Sequence, residues 1–66
     1  MTNIKHFNPR TTSVMDIIHY LEKSPDMMVR LQSSEQTLTY ERVNDERGFM
    51  KALRLIETGE IIPLPH

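Results

Sequence analysis

The stretch "YLEKSPDMMVRLQ", residues 20–32, decides the architecture. Ser24-Pro25-Asp26 can open a helix, with Ser24 as N-cap and Pro25 in the first turn. It can equally be the corner between a helix that ends and a strand that begins. On a helical wheel Met27, Met28, Val29 and Leu31 scatter over most of the circumference. On a strand they sort cleanly. Met27, Val29 and Leu31 take one face, and Met28, Arg30 and Gln32 the other.

Working downstream, "TLTYERV" (37–43) alternates too and carries the Thr, Tyr and Val of a strand. "SSEQ" between the two runs suits a four-residue hairpin loop. Closing on Ser33–Gln36 pairs Gln32 with Thr37, Leu31 with Leu38, Arg30 with Thr39 and Val29 with Tyr40. Apolar residues then share one face, and a one-residue slip destroys the match. The sequence therefore predicts a hairpin of strands over about 27–32 and 37–43. This removes the simplest helix-turn-helix reading.

Working upstream, Val14, Ile17, Ile18 and Leu21 fall at i, i+3, i+4 and i+7, one core-facing stripe. Ser13 is a good N-cap, and Asp16 sits at N3 as its capping-box partner. Pro25 disfavours the α conformation at Ser24, so this helix spans about 14–24.

Phe49, Ala52, Leu53 and Ile56 repeat the same spacing, with Asn44 as N-cap and Gly59 as the stop. They predict a second helix over about 45–58. The expected fold class is α+β, a small α-β-β-α unit with two helices packed on the hairpin. Residues 1–12 read as a flexible N-terminal arm, 13–59 as the single domain, and 60–66 as an extended tail broken by Pro63 and Pro65. The expected core is Val14, Ile17, Ile18, Leu21, Val29, Leu31, Leu38, Tyr40, Phe49, Leu53 and Ile56.

That core is thin for 66 residues, and chains of this size usually need a further stabilising device. With no cysteine, disulfides and thiolate metal sites are excluded. His6, His19 and His66 have no ligand spacing, so no metal or cofactor is expected. Self-association is the device left open. Surplus apolar side chains fit it, and Met15, Gly48, Met50, Leu55, Ile61, Ile62 and Leu64 are the expected contacts of a dimer or larger assembly. Gly48 and Ala52 are four apart and would permit a close helix crossing, although Gly48 costs a helix roughly 1 kcal/mol. The methionines serve as core filler or as an adaptable contact surface.

The stretch "SVMDIIHYLEKSPDMMVRL" resembles the opening of many short proteins of tailed phages and prophages, in its amphipathic helix, Pro25-Asp26 and apolar strand. The resemblance covers about a third of the chain. It implies a bacterial host cell, with a cytoplasmic location, and no particular activity or site residue.

A net charge of −1 gives no global pull toward nucleic acid. No apolar run approaches the ~18 residues of a membrane span. None follows Lys5, His6 and Arg10 as a signal peptide requires. On the expected last helix, Arg47, Lys51 and Arg54 fall at i, i+4 and i+7 and form one basic stripe. The stripe can contact phosphates or an acidic partner, or it can be a solvated face with local pairs to Glu57 or Asp45. Asp16 and His19 share a helix face, but no nucleophile or third orienting group attends them, so no enzyme is expected. The sequence thus predicts a small interaction or regulatory protein with a protein partner. The alternative is a nucleic-acid-binding regulator that uses the basic helix face.

Overall fold

The computed structural model describes residues 3–65. Strand β1 (Asn3–Phe7) leads into helix α1 (Val14–Lys23), and four strands follow: β2 (Met27–Gln32), β3 (Thr37–Asn44), β4 (Met50–Leu55) and β5 (Glu60–Pro63). They form one five-stranded sheet in sequence order, β1-β2-β3-β4-β5. β1 pairs with β2 in parallel, and every other neighbour is antiparallel. Parallel strands cannot be joined by a tight turn, so the chain crosses over the sheet between β1 and β2. α1 is that crossover and lies on one face.

The α-β-β-α expectation is overturned. Among the described residues there is one helix, not two, and there are five strands, not two. The helix expected over 45–58 is instead a turn, β4 and the turn into β5. Residues 3–7, expected in a loose arm, form an edge strand, and the expected tail supplies the other edge. Met1, Thr2 and His66 lie outside the described residues.

Two local features defeat the second helix. Gly48 has φ of 87°, a left-handed conformation no α-helix contains. It closes a turn in which its N–H donates to the Asp45 carbonyl at 3.1 Å, while Asp45 N–H reaches the Phe49 carbonyl at 2.8 Å. A β-bulge then follows. Val43 opposes Ala52 and Asn44 opposes Met50, so Lys51 is the extra residue. The bulge resets the alternation. Met50, Leu53 and Leu55 all turn toward α1, which no strict period-two reading of 50–55 allows.

α1 forms as its sequence dictates. The Asp16 N–H donates to Ser13 Oγ at 3.3 Å, and the Ser13 N–H returns a bond to Asp16 Oδ2 at 3.0 Å. This reciprocal box satisfies two orphan donors of the first turn. The hairpin has the expected register, Val29 to Tyr40 through Gln32 to Thr37.

The core is the layer between α1 and the sheet. Ile17, Ile18 and Leu21 pack on Val29, Leu31, Tyr40, Leu53 and Leu55. Phe7 and Tyr20 seal its margin edge-to-face, with ring centroids 5.3 Å apart. Three expected core residues are outside it: Val14, Phe49 and Ile56 are 41%, 67% and 42% exposed. Leu38 is half-buried at the margin. Leu55, expected at an oligomer contact, is buried.

Candidate interaction surfaces

Three arrangements stand out, and each follows from the strand register.

The first is the face of the sheet turned away from α1. Alternation places Ile4, Met28, Arg30, Thr39, Glu41, Val43, Ala52, Arg54 and Ile61 on it. Glu41 pairs with Arg54 across β3 and β4, and the two side chains form an ion pair. Ile61 flanks Arg54 on β5, and Ile4 flanks Met28 across β1 and β2. Val43 opposes the small Ala52, which in turn opposes Pro63.

The second is a polar knot at one end of the same face. Arg30 Nε donates to Thr39 Oγ1 at 3.1 Å, and that hydroxyl donates to Glu57 Oε2 at 2.6 Å. The Thr39 N–H donates to Glu57 Oε1, also at 2.6 Å. β4 has ended at Leu55, so the carboxylate occupies the place where a further ladder partner would sit. The Thr39 hydroxyl bond holds the Glu57 carboxyl below its ordinary value, and the Thr39 N–H and the Arg30 charge act in the same direction. Tyr40, next along β3, is raised by burial and then by the charges of Glu60 and Glu57. Among the described residues no buried side-chain nitrogen or oxygen lacks a partner.

The third is the β3–β4 turn, which displays Phe49. Asp45 Oδ1 accepts from the N–H groups of Arg47 (2.8 Å) and Phe49 (3.0 Å). Arg42 Nη2 donates to the Gly48 carbonyl at 3.2 Å, and its Nη1 reaches the Leu21 and Glu22 carbonyls at the end of α1. The turn is therefore tied to itself and to the helix. Phe49 projects from it beside a shallow groove of about 290 Å³ lined by Glu22, Arg42, Met50 and Leu64.

The residues expected to act together are dispersed. Without a second helix there is no basic helix stripe. Arg47 and Lys51 share a groove at the turn, interleaved with Asp45 and Glu46. Arg54 lies on the open sheet face, engaged by Glu41. Of the expected oligomer contacts, Leu55 is buried in the core, and Met50, Ile62 and Leu64 pack against it. Gly48 serves the turn with φ of 87° and is not in a helix, so the expected helix crossing has no helix to form it. Met15 and Ile61 remain exposed. Sequence reasoning missed the Thr39–Glu57 bond, the Glu41–Arg54 pair and the display of Phe49. A turn at "NDERG" was the signal that could have revealed all three.

Among the described residues no helix is long and apolar enough to cross a membrane, and no group of three or more His, Cys, Asp or Glu is placed to hold a metal ion. No protein-family model, curated protein or solved structure matches the chain.

Proposed function

We propose that the protein is a small non-enzymatic interaction module that binds another protein through Phe49 and the adjoining groove. One observation carries this reading: an aromatic side chain 67% exposed on a turn fixed by several hydrogen bonds. Exposed aromatics on preorganised loops make efficient anchors, because large area is buried on binding while little conformational freedom is lost. The groove adds apolar Met50 and Leu64, with Glu22 at its rim to orient a polar partner group and Arg42 holding its wall. The resemblance of residues 13–31 to short phage and prophage proteins supports the cytoplasm of a bacterial host cell as the setting, and a host or phage protein as the partner.

The test is comparative capture from bacterial lysate with tagged wild type, Phe49→Ala and Met15→Ala. A protein retained by wild type and Met15→Ala, lost with Phe49→Ala, and rebinding as a purified protein supports the reading. Identical capture by all three chains refutes it. Nucleic acid that is retained and released steeply with salt would instead place the function on the cations.

A further inference from the structure

The open sheet face carries a pattern that complements itself. In sheet order across β2, β3, β4 and β5, one transverse row reads Met28, Glu41, Arg54, Ile61. The pairs Glu41–Arg54 and Arg54–Ile61 are in register, and Met28 lines a groove with Glu41. Consider a two-fold axis parallel to the strands and running between β3 and β4. It lays a second copy over the face with β3 on β4 and β2 on β5. Glu41 then meets Arg54 of the second copy and Arg54 meets its Glu41. Met28 meets Ile61 of the second copy, and the reverse contact follows by symmetry. In the next row Val43 is set over Ala52 of the second copy, a large side chain over a small one whose own surface is already covered within its chain.

The charges select this axis. Moving it onto β3 sets Glu41 against Glu41 and Met28 against Arg54. Moving it onto β4 sets Arg54 against Arg54 and Glu41 against Ile61. Only the axis between the strands matches acid with base and apolar with apolar. The sheet edges are poor alternatives. β5 contains Pro63, which has no N–H to donate, and β1 is centred on Lys5, a residue that blunts edges. We infer that the open face is the contact between two copies of this chain, packed as a two-fold sandwich centred on the Glu41–Arg54 pairs. The inference stands apart from the Phe49 reading, since Phe49 lies on a different surface.

The experiment is a charge swap read by light scattering and sedimentation. Wild type at high concentration should show twice the 7.8 kDa chain mass. E41R carries two cations at the contact and R54E two anions, so each should run at the single-chain mass. An equimolar mixture should return to twice that mass, because each chain now complements only the other. A single-chain mass for wild type, variants that dimerise alone, or folded variants whose mixture stays monomeric overturns the inference.

If either variant fails to fold, a chain with Met28→Cys and Ile61→Cys decides the matter with the ion pairs intact. The two positions are three strands apart, about 14 Å, too far to bridge within one chain. The natural sequence has no cysteine. A covalent dimer on oxidation at low concentration is expected, and monomer alone overturns the inference. The Phe49→Ala chain should keep the wild-type mass. Loss of partner capture and loss of dimer are thus separate failures.

Discussion

Thr39 presents both its N–H and its hydroxyl to one carboxylate, that of Glu57, at 2.6 Å each. Thr39 is 1% exposed in the middle of β3, whereas Glu57 sits in the turn after β4. The bond therefore fastens the β4–β5 turn to a strand 18 residues earlier in the chain. It also makes stability depend on pH. Glu57 is held below its ordinary value of 4.5. A group whose folded value is depressed contributes stability above its unfolded value and loses it as pH falls through the folded one. The wild type should thus lose part of its thermal stability below about pH 4.5. Glu57→Gln should remove that part of the acid slope, and Thr39→Val should cost about 1 kcal/mol near neutrality. Melting curves from pH 3 to 7 check both. Parallel acid slopes in wild type and Glu57→Gln would show that the bond is not coupled to folding.

Arg42 should behave as a structural residue rather than a free cation. Its guanidinium gives Nη1 to the Leu21 carbonyl at 3.0 Å, Nε to Asn44 Oδ1 at 2.6 Å, and Nη2 to the Gly48 carbonyl. A cation at a helix C-terminus also suits the helix dipole. An ammonium is a point charge and cannot span three such acceptors. Arg42→Lys should therefore destabilise nearly as much as Arg42→Met, by about 1–2 kcal/mol in denaturant unfolding. Amide exchange should quicken at the end of α1 and in the Asp45–Phe49 turn together. A loss confined to one of them would mean that Arg42 does not link the two.

The contrast between α1 and β4 explains how much of the fold was legible. Val14–Lys23 is a local event: its cap, its stripe and its stop at Pro25 are all encoded within a dozen residues. The β2–β3 hairpin is nearly as local, and its register follows from alternation alone. β4 is different. Lys51 at the bulge shifts the phase of the strand, so Met50 joins Leu53 and Leu55 on the face toward α1 against strict alternation. The i, i+3, i+4, i+7 spacing of Phe49, Ala52, Leu53 and Ile56 is a false amphipathic stripe, since Phe49 and Ile56 lie in the flanking turns and Ala52 and Leu53 on opposite faces of β4. Gly48, read as a tolerated helix residue, is the left-handed pivot of the preceding turn. β1 escaped because Asn3–Phe7 pairs with β2 only after the chain has crossed over through α1. A long-range parallel pairing leaves little trace in a five-residue edge segment. The site shared these fates: Arg54 and Lys51 were assigned to one helix face and stand at a sheet face and a bulge.

Phe49→Ala should separate binding from stability. A residue 67% exposed contributes little to the core, so unfolding should shift by less than about 0.5 kcal/mol. Partner capture should fall at least tenfold if Phe49 is the anchor. Leu53→Ala, at a position with no exposure, should do the opposite to stability and cost about 2–5 kcal/mol. Equal destabilisation by the two substitutions would show that Phe49 is packed in solution and not displayed.

Gly48→Ala isolates the backbone term at the turn that presents Phe49. No heavy atom lies within 4 Å of the added Cβ, so no steric clash contributes. The φ of 87° remains, and an L-residue there is strained by about 1–2 kcal/mol. The chain can accept that strain or relax the turn. If it accepts it, unfolding shifts by that amount and partner capture is unchanged. If the turn relaxes, the Gly48 carbonyl leaves Arg42 Nη2 and the Asp45 bond to the Phe49 N–H weakens. Capture then falls although Phe49 is still present. Gly48→Asn discriminates between these cases, because asparagine tolerates the left-handed region better than alanine. Recovery of both stability and capture by Gly48→Asn is expected. Recovery of neither would place the fault outside the backbone conformation of residue 48.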